Sequence, residues 1–213
     1  MPARLRPTAP IAPDAILVGD PGRALMLAQE LLEQPKMSNH ARGLWGYSGT
    51  TPAGHELTIQ STGMGGPSAS VVLGDLAELG VRRAIRIGTC ASLSDLELGG
   101  LLLVDEAHAP GRDASRPDPA LTAALGETLD ASISGVVVSL DTLFRPEAEI
   151  PSMAAEAADM QTAGLLSSAK AHDVAVAVVL IAAERSDSGQ LREEELEETA
   201  RRVGHTASAI LST

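Results

Sequence analysis

The chain has 213 residues, 44% apolar and 21% charged, which suits one well-filled core in a single domain over 1–213. Its formal charge of −12 opposes sequence-independent binding to a phosphate polymer, which needs a basic surface that releases counterions, so no nucleic-acid partner is expected. Lys36 and Lys170 are the only lysines among 16 basic residues; the rest are Arg, whose planar fork grips phosphate bidentately, so a small anion remains a candidate ligand.

The start, "MPARLRPTAPIAPD", breaks with prolines where a signal peptide needs an apolar run, and reads as an N-terminal arm over residues 1–14. "AILVG" (15–19) is a short apolar strand ended by "DPG", and "RALMLAQELLEQ" then has helical spacing. "GLWGYSGTT" and "HELTIQST" alternate around the turn "TPAG" (51–54) and predict a hairpin. "PSASVVLGDLAELG" predicts a helix that Gly80 stops, and "RRAIRIGT" a strand. After these come "LLLVDEA" as a strand, a helix near 118–129, the strand "ISGVVVSL", a helix near 154–170 and the strand 174–183.

In the last helix Leu196, Ala200, Val203, Ala207 and Ile210 form an apolar stripe, while Glu193 to Glu195, Glu197, Glu198, Arg201 and Arg202 give solvated faces. Strands alternating with helices predict an α/β layered fold around a largely buried sheet, which the early hairpin makes mixed, mostly parallel, rather than purely parallel. Cys90 is the only cysteine, which excludes an internal disulfide and fits a reducing, cytoplasmic setting. The longest apolar stretch, Val174 to Ala183, is about half of a membrane span, so no membrane partner is expected.

In such folds ligands sit beyond the carboxyl ends of strands, which gives weight to three turns. "GDPGRA" (19–24) places Arg23 in the first turn of a helix, "STGMGGPS" (61–68) opens another helix with small residues, and "RIGTCAS" (86–92) brings Arg86, Gly88 and Thr89 together. Helix N-termini, two Arg forks and a threonine hydroxyl are the parts of a phosphate site. None of the turns matches a dinucleotide fingerprint or a P-loop, and the histidines have no metal-ligand spacing.

"ILVGDPGRA", "ARGLWGYSGT", "STGMGGPSAS", "AIRIGTCASL" and "DMQTAGLL" resemble, in order over about residues 15 to 185, the nucleoside phosphorylases of the purine and uridine phosphorylase type. The resemblance implies a three-layer α/β fold, a homo-oligomer built from dimers and often hexameric, and reversible cleavage of an N-glycosidic bond by inorganic phosphate, with no cofactor. It places the phosphate site on Gly19, Arg23, Arg86 and Thr89, with Arg42 supplied by the neighbouring subunit. Met64, Met160 and Gln161 would meet the ribose, Phe144 would stack on the base, and Cys90 would line the base pocket or merely pack.

The departing base needs a proton or a strong hydrogen bond, hence a carboxylic acid whose pKa burial raises. Two acids follow the strand 174–183, and the family places its acid in a Ser-Asp pair. Ser186 and Asp187 supply the letters, but an ungapped count from "DMQ" (159–161) puts the family's pair on Ala183 and Glu184, which favours Glu184 as the acid and leaves Asp187 as a turn or cap residue. Glu reaches about 1.5 Å further than Asp.

Gln161 also departs from the family, standing where a glutamate accepts from ribose hydroxyls. The segment between Phe144 and Asp159 has no Gln-x-Arg pair of the kind that reads a pyrimidine in uridine phosphorylases, so a purine is expected. The leading expectation is phosphorolysis of a purine (deoxy)nucleoside to base and (deoxy)ribose 1-phosphate. A catalytically weak or silent nucleoside-binding homologue and a hydrolytic nucleosidase are the alternatives.

Overall fold

The computed structural model describes residues 4–131, 133–141, 154–185 and 189–213. In chain order the elements are β1 (Asp14–Val18), α1 (Pro21–Leu31), β2 (Glu33–Asn39), β3 (Gly46–Thr50), β4 (Glu56–Ser61), α2 (Gly66–Glu78), β5 (Arg83–Ser92), β6 (Leu101–His108), α3 (Pro119–Thr128), β7 (Ile133–Ser139), β8 (Ala157–Asp159), α4 (Thr162–His172), β9 (Ala175–Arg185), β10 (Gly189–Gln190) and α5 (Glu193–Leu211).

Local chemistry sets most boundaries. The Asp20 carboxylate accepts the Arg23 N–H at 2.8 Å and Pro21 opens α1, a capped N-terminus. Gly80, at φ +110°, follows the last turn of α2 in a conformation that favours glycine. All five residues of β1 are buried, and side chains of β1 and β9 alternate between two apolar clusters. Ala15, Leu17, Val176, Val178 and Leu180 join α2 and α4 in one; Ile16, Val18, Ala177, Val179 and Ile181 join α1, α3 and α5 in the other. Helices therefore cover both faces of the sheet.

The strand order is β10-β9-β6-β7-β8-β5-β1-β4-β3-β2, with β9 also paired to β5. That extra pairing closes a ring through β5, β9, β6, β7 and β8, so part of the sheet curls into a small barrel. Parallel ladders join β1 to β4 and β5, β5 to β9, and β7 to β6 and β8. Antiparallel ladders join β2 to β3, β3 to β4, β5 to β8, β6 to β9 and β9 to β10. The sheet is thus evenly mixed rather than mostly parallel, because the short turns between β2, β3 and β4 permit only antiparallel neighbours and β6 runs against β9.

Two other expectations change. The helix expected near 154–170 begins only at Thr162; Ala157–Asp159 forms β8, between β5 and β7. Ala-rich "AAEAAD" has high intrinsic helix propensity, and strand pairing on both sides overrides it. β2, which the sequence pattern did not indicate, is an edge strand with Gln34 at φ +47° and two register shifts against β3.

The arm is anchored. Asp75, buried on α2, accepts the backbone N–H groups of Arg4 at 2.7 Å and Leu5 at 2.8 Å, and Leu5 is buried in the first cluster.

Helices α2 and α4 touch backbone to backbone. A Cβ on Gly164 would lie 3.0 Å from Gly66 Cα and 3.1 Å from Gly66 O. Gly164→Val is expected to lower stability by about 1–3 kcal/mol, since neither backbone can give way without moving a helix. Urea unfolding measures this; an unchanged midpoint would show that the helix contact is loose.

Candidate active site

The cavity that gathers the three segments lies beyond the carboxyl ends of β1, β4 and β8 and against the middle of β5, where the turn expected at 86–92 is strand. Its volume is about 530 Å³, within the range of small-molecule sites, and its lining includes Gly19, Arg23, Met64, Arg86, Thr89 and Gln161. Gly63, Gly65, Gly88 and Met160 complete the walls around them. No side chain caps α2, whose first N–H groups follow Gly65 at this wall.

Arg86 is a buried cation at the cavity, with its side chain 4% exposed. One terminal nitrogen donates to Gln161 Oε1 at 2.6 Å and the other lies 3.5 Å from Asp159 Oδ2. Its Nε has no hydrogen-bond partner among the described residues, and the same holds for Arg23 Nε. Burial pushes the Arg86 pKa below the ordinary guanidinium value; the carboxylate of Asp159 opposes that shift and the charge of Arg23 adds to it. The two cations therefore feel one another. Among the described residues, Arg23 has an exposed Glu193 carboxylate at 3.8 Å as its ion-pair partner.

Asp159 is held as tightly as the cation it faces. Ser139 Oγ donates to Oδ1 at 2.5 Å, while Thr162 donates its N–H at 3.0 Å and its hydroxyl at 2.6 Å to Oδ2. The carboxylate therefore both accepts the first N–H of α4 and stands as a counter-charge 3.5 Å from Arg86. Gly88 makes room for this, because a Cβ there would lie 2.8 Å from an Arg86 terminal nitrogen and 2.6 Å from Leu180.

Two guanidinium groups with unused N–H donors, beside an uncapped helix start, form a site for a small, multiply charged oxyanion. Met64 and Met160 add apolar surface at the same cavity, Met64 being 85% exposed at its mouth. Among the described residues no cluster of His, Cys, Asp and Glu is arranged to hold a metal ion, and no helix is long and apolar enough to cross a membrane.

A family model described as the phosphorylase superfamily matches residues 13–213. The chain belongs to this family of enzymes. It is 32% identical over 156 residues to the DeoD-type purine nucleoside phosphorylase of Oceanobacillus iheyensis, covering 65% of this chain and 66% of that one. The Caldanaerobacter subterraneus subsp. tengcongensis DeoD-type purine nucleoside phosphorylase is 29% identical over 201 residues, covering 84% and 86%. A crystal structure of purine nucleoside phosphorylase from Toxoplasma gondii in complex with immucillin-H superposes with TM-score 0.79 at 23% identity, over 95% of this chain and 90% of that one, which shows a shared fold.

Within this phosphorylase superfamily chain, the residues singled out from sequence divide into two groups. Gly19, Arg23, Met64, Arg86, Thr89, Met160 and Gln161 converge on the cavity. Four others are placed differently. Cys90 is buried in the first apolar cluster, its Sγ 3.7 Å from Ile181 O, and does not line the cavity. Arg42 is exposed on a 3-10 turn, Ala41–Gly43, at φ +61°, and does not line its own chain's cavity. Glu184 is exposed at the end of β9, where Gln190 Nε2 lies 3.5 Å from its Oε1, and it does not line the cavity either. A bulge sets this: Cys90 pairs with Ala182 and Ala91 with Glu184, so Ala183 is the extra residue that breaks the alternation. The burial expected of the acid is absent at Glu184. Phe144 and Asp187 lie outside the described residues.

Asp159 was missed by sequence reasoning because it fell inside the expected helix, where an acid reads as a solvated face; an Asp three residues before a Thr is a capping signal that could have found it.

Burial raises the Cys90 thiol pKa to about 12, against a partial opposing effect of Arg86. At pH 8, far below that value, the group is a neutral thiol and a poor nucleophile. Native protein at pH 8 is therefore expected to resist iodoacetamide, and urea-unfolded protein to take up one equivalent; rapid labelling of the native state, read by intact mass, would contradict this burial.

Proposed function

We propose that the chain catalyses phosphorolysis of the N-glycosidic bond of a purine nucleoside or deoxynucleoside, giving the free base and (deoxy)ribose 1-phosphate. The observation that carries the reading is the pair Arg23 and Arg86, each with a buried Nε that lacks a partner, at one cavity with Thr89 and Gly19. The names of the relatives support the purine. A phosphate oxygen attacks the anomeric carbon, the C–N bond breaks, its electron pair stays with the base nitrogen, and that nitrogen takes up a proton. The arginines hold and orient the anion, which removes much of the entropic part of the barrier, and no cofactor enters the balance.

The reading also carries a homo-oligomer built from dimers, often hexameric in the family it resembles, in a cytoplasmic setting. Exposed Arg42, which does not line its own chain's cavity, supports delivery to a neighbouring subunit. Helices on both faces of the sheet support the three-layer αβα description of a single domain over 1–213. The proton donor is Glu184 or Asp187, Phe144 stacks on the base, and Cys90 packs beneath the site.

One observation favours a second reading, a catalytically silent nucleoside-binding homologue: Glu184 is exposed and does not line the cavity. Base release from a nucleoside panel, with and without phosphate, separates the readings. Phosphorolysis predicts release only with phosphate, silent binding predicts purine binding without release in either buffer, and equal release in both indicates a nucleosidase. Arg23→Ala is expected to lower kcat/KM for phosphate by about 10- to 100-fold, from loss of a charge-assisted contact of ~1.5–3 kcal/mol. Of the two acids, the one whose Ala variant abolishes release is the donor.

A further inference from the structure

Gln161 is 4% exposed and makes three contacts that tie two walls of the cavity together. Its Oε1 accepts from Arg86 at 2.6 Å and lies 3.0 Å from the Thr62 hydroxyl; its Nε2 donates to Gly63 O. The orientation of the amide follows from its neighbours, since a guanidinium only donates and a carbonyl only accepts. Thr62 Oγ1 also lies 3.0 Å from Val18 O, so its one proton is shared between that carbonyl and Gln161 Oε1. The amide oxygen thus faces Arg86 and Thr62 inside the protein.

We propose that Gln161 is the positioning residue of the anion site: its amide locks Arg86 and the glycine turn after β4 into one geometry, and its oxygen does not read a sugar hydroxyl. This rests on the phosphorolytic reading of the cavity. A carboxylate in its place could not make the same bracket, because an acceptor oxygen would face Gly63 O and a second anion, beside Asp159, would neutralise Arg86. The neutral amide holds the cation in place and leaves its charge for the ligand. Gly63 stands at φ +71°, so the turn it anchors has a backbone that few other residues would adopt, and the tether to Nε2 fixes it.

The test is calorimetric binding of inorganic phosphate, a purine ribonucleoside and the matching 2′-deoxyribonucleoside to wild type, Gln161→Glu and Gln161→Met, with thermal melting as the check on folding. Both variants are expected to bind phosphate about tenfold or more weakly, the scale of one charge-assisted hydrogen bond. The ratio of the two nucleoside affinities should stay within about twofold of wild type, since one lost hydroxyl contact would shift it further. Should Gln161→Glu fail to fold, Gln161→Met carries the same expectation at similar volume. Unchanged phosphate affinity in a folded variant, or a loss confined to the ribonucleoside, overturns the assignment. Wild-type protein that binds no phosphate overturns the phosphorolytic reading itself, and Gln161's role with it.

Discussion

A guanidinium buried within β5 is the constraint around which this site is organised. Moving a cation out of water costs several kcal/mol unless a counter-charge and hydrogen bonds meet it. Asp159 supplies the counter-charge and Gln161 the shortest hydrogen bond to Arg86, and both come from a segment more than seventy residues away in the chain. Asp159 in turn depends on Ser139 and Thr162 for its own satisfaction. Removing any one partner would leave a buried charge or donor exposed to a low-dielectric interior, so β5, β7, β8 and α4 are held in register by the same network that prepares the site.

Arg86 is nonetheless incompletely satisfied, with its Nε lacking a partner, and Arg23 stands close enough to disfavour its charge. Two cations kept near one another form an arrangement that an oxyanion relieves. Stability and binding are thereby set against each other: the protein tolerates like-charge repulsion at the cavity because the ligand removes it. Gly88 shows how tightly the packing is drawn, since any Cβ there would meet both the arginine and Leu180.

The parts of the site that face the cavity from strand ends were legible in the sequence. Gly19 and Arg23 follow a strongly apolar strand, where periodicity locates the strand and chemistry identifies the turn, whereas Arg86 and Thr89 lie within β5, which runs on to Ser92 through the turn expected at "RIGTCAS". Asp159 was not legible, because "AAEAAD" prefers a helix and only its pairing with β5 and β7 makes a strand of it. The placement of Glu184 depends on a bulge at Ala183, and bulges arise from the register of two strands, which one strand's sequence does not encode. β2 escaped notice for a related reason: Pro35 and polar residues on an edge strand give little alternation to read. The closure of β5, β9, β6, β7 and β8 is likewise a property of pairing between distant segments.

The most direct test of the central claim is a crystal structure of the protein grown with inorganic phosphate. The account predicts a phosphate in the cavity with oxygens within hydrogen-bond distance of Arg23 and of Arg86 Nε, while Arg86 stays on Asp159 and Gln161. Phosphate bound elsewhere, or Arg86 left without a ligand contact at saturating phosphate, would contradict it.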